Sequence, residues 1–491
     1  MIFSRAQRHK SDMEAASSYE EWQEAAIAYD KASGLLEWQK SDVSKHFDYK
    51  SIRRRLKKLR KLRAKRDSVG ILYALNEGLH GNIDGMGHVR LHNKASSGTK
   101  CLIADYVDEV VASLDLLADE HARDIPHDDR LDFFRRAQHC YGCSALMMSG
   151  AGSLLFFHIG VVKTLWQHDL LPSILSGSSG GAVVGGIVST HREDELAKIF
   201  EPDNLANEIE RDESIFRHLT ALAPEVANIE DVREAINRQI PDLTFLEALQ
   251  HSGRHLNVSI AAAEKHQTSR LLNAITTPSV YVREAVMASA AVPGFFPPVR
   301  LAAKNDTGRR QPYMPNRRWV DGSISHDIPA KRLARVYAPN HFIVSQVNPH
   351  IFPFVTDTQS SKKTVFSTLS SAAKATAREW INAGASIMER PLSLNPIASR
   401  VTNVALGVIN QDYFGDVNIL PERLIFNPLR LLGNRSAEEI VELIHMGEKA
   451  TWPKLEQIRV QTKIGRKLDA IVAEFDHGAT HSRHGASKQA G

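Results

Sequence analysis

An apolar run that ends in Gly-Ser-Ser-Gly-Gly leaves a chain few ways to continue. Residues 173–186 read SILSGSSGGAVVGG. Ile-Leu-Ser has the pattern of a short buried strand, and GGAVVGGIVST that of a helix built from small residues. Between the two the backbone has to reverse within a few residues. Gly177, Ser179 and Gly181 stand at the spacing G-x-S-x-G, in which a serine occupies a sharp strand-to-helix turn with its hydroxyl exposed. Glycines two before and two after remove side chains that would collide in that turn. The N-terminus of the following helix favours negative charge developing beside the serine. The same serine can also simply cap the helix, so the motif is read with its neighbours.

A nucleophilic serine needs a base and a set of donors for the oxyanion. SGAGS at 149–153 separates a strand pattern from a helix pattern. Backbone N–H groups of Gly150, Ala151 and Gly152 can form an anion-binding nest there, and a plain tight turn is the alternative. The base can be histidine or aspartate. His341 opens an apolar run and His350 follows one, which makes His350 the fair histidine candidate. Asp321 closes the run WVD and is followed by Gly322. That places it at a strand–loop junction, where sites of α/β proteins are built. Burial in a dry cleft raises the basicity of such a carboxylate. On its own, Asp-Gly is also a turn.

The rest of the chain sets this stretch in context. Residues 1–135 are charge-rich and helix-patterned, with Ser18 and Glu21 at capping-box spacing. From about 136 to 350, short apolar runs alternate with helical patterns: SALMMSG, ILSGS, LNVSIAAAE, RRWVDGS and HFIVSQV. Alternation of this kind predicts a largely parallel sheet covered by helices. Residues 351–475 return to helical patterning, with a second capping box at Ser436 and Glu439, and 476–491 read as a disordered tail rich in Gly, Ser and His. The start, MIFSRAQRHKSDME, has no apolar stretch of a secretory signal. No run reaches the ~18 apolar residues of a membrane span. A cytoplasmic chain is expected. Cys101, Cys140 and Cys143 are too few for a disulfide framework. CYGC lacks the second pair of a zinc site and reads as two partly buried thiols.

The elbow, preceded by a Gly-rich nest and followed by Asp-Gly, resembles the patatin-like phospholipase family. Gly150, Ala151, Gly152 and Leu155 stand at the glycine positions of that family's G-G-G-x-x-G. Ala151 still offers its N–H, whereas Leu155 alters the helix packing. The elbow maps onto Gly177, Ser179 and Gly181, and the family's D-G-[GA] onto Asp321, Gly322 and Ser323. FFHIGVVKTLWQHDLLPSILSGSSGG, ASAAVPGFFPP (288–298) and QDYFGDVNILP (411–421) are most similar to the triacylglycerol-lipase branch, which carries a helical N-terminal extension. The resemblance implies a three-layer α/β/α core at 136–350 with helical regions before and after it. It implies a lipid acyl hydrolase with Ser179 as nucleophile, Asp321 as general base and acid, and an oxyanion hole of Gly150, Ala151 and Gly152. It calls for no catalytic histidine, no metal and no cofactor, and His158 becomes a structural residue. The substrate would be a glycerolipid. Acyl transfer to a lysolipid, or a silent lipid-surface protein, are the alternatives.

Net charge is only +4, so no global field points to nucleic acid. The charge is instead local, with ten Arg or Lys among the fourteen residues 53–66. Ile52, Leu56, Leu59 and Leu62 share one face of that segment. Such a helix can lie on an anionic membrane or lipid-droplet surface, with Arg53, Arg54, Arg55, Lys57 and Lys58 as contacts. It can also be a solvated face. Nucleic acid is the poorest fit, because no aromatic residues are interleaved.

Overall fold

The computed structural model describes residues 2–119, 124–201, 204, 229–264, 269–292, 296–322, 327–347, 415–421 and 436–488. His350, Ser323, residues 293–295 and most of the stretch 351–435 lie outside them. The chain gathers into two compact units. One comprises Met1–Ser144, Ala338–His341 and Trp452–Gly491, and the other Ala145–Tyr337 and Phe342–Thr451.

The first unit is helical: α1 Ile2–Ala15, α2 Tyr19–Ala32, α3 Leu35–Lys40, α4 Tyr49–Ala64, α5 Ser68–Asn76, α6 Val89–His92, α7 Cys101–Ala118 and α8 His127–Tyr141. Ser18 caps α2 through the Glu21 N–H, while the Glu21 carboxylate goes to the Ser17 N–H at 2.9 Å. The basic segment is α4. Ile52, Leu56 and Leu59 are buried in the same core as Val107, Val110 and Leu114 of α7. The last helix of the chain, Ala437–Lys488, adds Ile464, Leu468 and Ile471 to it. Two buried charges tie the connecting loops. Asp30 accepts from the N–H groups of Ser96 (3.1 Å) and Ser97 (2.7 Å). Lys100 donates to the carbonyls of Trp38 and Ser41, both at 2.6 Å. Such charges are tolerated because every donor finds an oxygen. Cys140 is exposed rather than partly buried, and burial pushes the Cys143 thiol up to about 11, away from a reactive thiolate.

The second unit holds the sheet. Its strands are β1 Ser144–Met148, β2 Ile174–Gly177, β3 His255–Ala262, β4 Arg270–Asn273, β7 Trp319–Asp321, β8 His341–Ser345 and β9 Val417–Ile419; β5 Leu301–Lys304 and β6 Arg310–Tyr313 form a separate hairpin. The order is β4-β3-β2-β1-β8-β9, with β7 also on β3. β1–β2, β2–β3 and β8–β9 are parallel, while β4 and β7 run antiparallel to β3. Helices flank the sheet, so the core is a largely parallel three-layer α/β/α arrangement. The parallel strands are buried along their length, as expected when both faces are covered.

Register places β7 in a particular lane. Val258 pairs with Gly177 of β2 on one side and Leu272 of β4 on the other. Ile260 pairs with Arg270 of β4 and with Asp321 of β7. A residue has one neighbour per side, so β7 occupies the lane that β2 has vacated. Had β2 continued for two residues, Ser179 would stand opposite Ile260. Asp321 stands there instead.

α9 (Leu155–Gln167) meets the start of the last helix backbone to backbone. A Cβ on Gly160 would overlap the Ile444 carbonyl, and one on Gly447 the Phe157 carbonyl. The Lys163–Glu448 ion pair at 2.6 Å flanks this crossing. Alanine favours a helix over glycine by about 1 kcal/mol. Overlap with a rigid carbonyl outweighs that gain, since overpacking costs about 1–3 kcal/mol. Gly160→Ala is therefore predicted to lower the denaturant midpoint, and an unchanged or raised midpoint would contradict the close crossing.

Candidate active site

Ser179 lies between β2 and α10 (Gly180–Ser189), with φ 51° and ψ −123°. Positive φ is uncommon for a residue with a Cβ and persists only where the surroundings over-determine it. Here they do. The Ser179 N–H donates to Ser289 Oγ (2.9 Å), and that hydroxyl donates to the Ser259 carbonyl (2.8 Å). A Cβ on Gly177 would overlap the Gly181 carbonyl, and one on Gly181 would sit 2.5 Å from the Met148 oxygen. Only glycine permits that approach of strand and helix. Ser178 differs from its neighbour, because its hydroxyl is committed to the Asp327 carbonyl at 3.1 Å.

Asp321 ends β7 and is 2% exposed, with its N–H on the Ala291 carbonyl (3.0 Å). Gly322 follows against the Ser259 backbone. β7 therefore runs head-on toward the point where the chain turns away at Ser179. The nest comes from a third direction. A Cβ built on Gly180 would lie 3.0 Å from the Ala151 Cβ and 3.3 Å from the Gly152 oxygen. Ala151 and Gly152 thus flank the residue next to Ser179. Ala151 has φ −136° and ψ −22°, and Gly152 has φ 52°. Ala151 thus lies outside the right-handed helical region, and the positive φ of Gly152 turns the loop; successive N–H groups of such a turn can make an anion-binding concavity. The Gly150 N–H donates to Asp327 Oδ1 at 2.6 Å.

His158 of α9 is fully buried. Its Nδ1 is 2.7 Å from Ser345 Oγ and its Nε2 3.1 Å from the Ser149 carbonyl. Burial pushes the imidazole down to about 4, so the ring is neutral and Nε2 carries the proton it donates to Ser149. These contacts are those of a structural histidine. Among the described residues, no group of three or more His, Cys, Asp or Glu side chains is disposed to hold a metal ion. Asp327 and Ser345 carry no motif that would have marked them in the sequence, whereas Ser289 lies in the ASAAVPGFFPP stretch without a role having been read for it.

The basic run divides in two. Arg53 pairs with Asp42, Arg55 with Asp84 (3.4 Å), Lys58 with Glu77 (3.2 Å), and Arg63 with Glu109 (2.6 Å). Arg54, Lys57, Lys61, Lys65 and Arg66 are exposed and have no acidic partner within ion-pair reach among the described residues. The apolar face of α4 is not free to enter a membrane, which corrects the expectation from its sequence. Core packing against α7 has taken Ile52, Leu56 and Leu59. Among the described residues no helix is long and apolar enough to cross a membrane.

Fold and site together define a three-layer α/β/α protein with a serine elbow, a Gly-rich nest and an aspartate at the end of an antiparallel strand. The family model described as patatin-like phospholipase matches residues 146–334, and that described as a domain of unknown function (DUF3336) matches residues 1–139. Triacylglycerol lipase SDP1L of Arabidopsis thaliana is 32% identical over 95% of this chain and 58% of its own length. Triacylglycerol lipase 4 of Saccharomyces cerevisiae is 33% identical over 91% of this chain and 51% of its own. A patatin-like phospholipase domain-containing protein of Aspergillus terreus is 30% identical over 94% of this chain and 68% of its own. The chain belongs to the patatin-like phospholipase family. It spans little more than half the length of the two lipases.

The buried histidine sets an expectation for acid. The folded ring titrates near 4 and the unfolded ring near 6.5. The unfolded state therefore binds the proton first as pH falls, and stability is lost between those values. Denaturant midpoints measured from pH 7 to pH 4 are predicted to fall, and His158→Gln to show a shallower acid limb. An equally steep limb in that variant would contradict the neutral buried ring.

Proposed function

We propose that this chain hydrolyses carboxylic esters of glycerolipids, with Ser179 as nucleophile and Asp321 as general base and acid. The observation that carries the reading is the register at β3, which brings the end of β7 to the turn at Ser179. The names of the two lipase relatives favour triacylglycerol as the acyl donor over a phospholipid.

The chemistry follows from the parts. Ser179 Oγ attacks the ester carbonyl while its proton passes to the Asp321 carboxylate. The carbonyl oxygen takes the negative charge against N–H groups of the nest, donors already in place before charge develops. Collapse breaks the acyl–oxygen bond, and Asp321 returns the proton to the departing alcohol. Water then attacks the acyl-serine with Asp321 again as base, releasing the fatty acid. Strain at Ser179 holds the hydroxyl out of the helix, and Asp321 is buried at 2% exposure.

Ser179→Ala is expected to abolish fluorophosphonate labelling and to lower turnover by several orders of magnitude. Asp321→Asn is expected to abolish turnover in a folded protein, and His350→Ala to retain it. Labelling that survives in Ser179→Ala would overturn the assignment. Analysis of the products from mixed lipids, with and without a lysolipid acceptor, separates hydrolysis from acyl transfer.

Peripheral association with an anionic lipid surface is part of the same proposal. It is supported by the unpaired stripe Arg54, Lys57, Lys61 and Lys65, spaced three, four and four residues apart on one helical face. With the apolar face of α4 buried, the attraction is electrostatic. Each basic residue near such a surface contributes about 1 kcal/mol, screened within a Debye length. Replacing these four and Arg66 by Gln is expected to weaken co-sedimentation with phosphatidylserine vesicles by at least about tenfold at low salt. Turnover of a short-chain soluble ester is expected to be spared. Undiminished vesicle binding by the depleted chain would leave the run as a solvated helix face.

A further inference from the structure

We infer that Asp327 and His158 are positioning residues that clamp one peptide group of the nest, leaving the N–H groups of Ala151 and Gly152, and not that of Gly150, to receive the oxyanion. The inference rests on Ser179 and Asp321 acting as proposed above.

The Ser149 carbonyl and the Gly150 N–H belong to the same planar peptide unit. His158 Nε2 holds the oxygen at 3.1 Å, and Asp327 Oδ1 holds the N–H at 2.6 Å. With both ends gripped, the plane cannot rotate about its flanking bonds. Each grip is itself anchored. His158 Nδ1 faces Ser345 Oγ of β8 at 2.7 Å, and the Asp327 carbonyl accepts from Ser178 Oγ at 3.1 Å. Ser149 is held besides, its Oγ accepting from the Val347 N–H (3.2 Å) and its N–H donating to the Ser345 carbonyl (3.1 Å). The loop is thus tied to β8 at one end and to the residue before Ser179 at the other.

An N–H that donates to a buried carboxylate is engaged in a charge-assisted bond, which is roughly twice as strong as a neutral one. It is not available to a developing oxyanion without breaking that bond. The peptides that follow are turned by Ala151 and by the positive φ of Gly152. Successive N–H groups of a turn can make an anion-binding concavity, and the Ala151–Gly152 part of the loop abuts Gly180. Asp327 lies six residues after Asp321 and serves another purpose: it orients the loop, and Asp321 moves the proton.

Steady-state kinetics of the full chain on a soluble p-nitrophenyl ester test this. Asp327→Ala is expected to lower kcat about 100-fold, comparable to removal of one oxyanion donor, with KM changed less than about threefold. Asp327→Asn keeps an oxygen for the Gly150 N–H and is expected to recover kcat to within about tenfold of the native chain. His158→Leu and His158→Gln form a second pair, since glutamine can still donate to the Ser149 carbonyl; the leucine variant is expected to lose kcat and the glutamine variant to regain it. This pair decides the matter if Asp327→Ala does not fold. Native kcat in folded Asp327→Ala or His158→Leu overturns the clamp. So does an Asp327→Asn as inactive as Asp321→Asn, which would make the charge of Asp327 chemical. Activity surviving in Ser179→Ala would instead sink the underlying site reading.

Discussion

The second unit is organised around one strained residue. Ser179 has a backbone conformation that a side chain disfavours. Its cost is offset by the bond from its N–H through Ser289 to the Ser259 carbonyl. That chain reaches into the middle of β3, the strand whose register also receives Asp321. The elbow is therefore tied to the same strand that aligns the candidate base. Glycines at 177 and 181 let strand and helix approach within a distance no side chain allows. Relaxing the turn would displace the helix, the strand end and the nest together.

Buried polar groups govern the rest of the site. Asp327, His158, Ser149, Ser178 and Ser345 are each 1% exposed or less, yet they are linked by hydrogen bonds into a network at the ends of β1 and β8. In a dry core such groups are costly unless satisfied, and when satisfied they specify one geometry. The backbone crossing at Gly160 and Gly447 holds α9, the helix that carries His158.

The helical unit shows how one segment serves two roles. The apolar side of α4 is core, and its cations split between ion pairs with acids of the same unit and a solvent-facing stripe. Exposed pairs contribute little to stability, typically under about 1 kcal/mol. The structural weight of the helix is therefore in Ile52, Leu56 and Leu59.

Much was legible in the sequence, because local rules sufficed. Strand and helix periodicities placed β1, β2, β3, β7 and β8, and the capping box at Ser436 appears with both reciprocal bonds, at 3.2 and 3.3 Å. The elbow could be read from Gly177-Ser-Ser-Gly-Gly181 because steric exclusion in a tight turn acts between residues close in sequence. Other features came only from tertiary structure. The lane taken by β7 depends on which side of β3 was left open, and no local pattern records that. Asp327 looks like any loop aspartate until a peptide 177 positions away is brought to it. The apolar face of α4 reads the same whether its partner is a bilayer or α7, since amphipathicity states that a face is buried and not by what. Residue type and spacing determined what each segment can do; long-range packing decided what it meets.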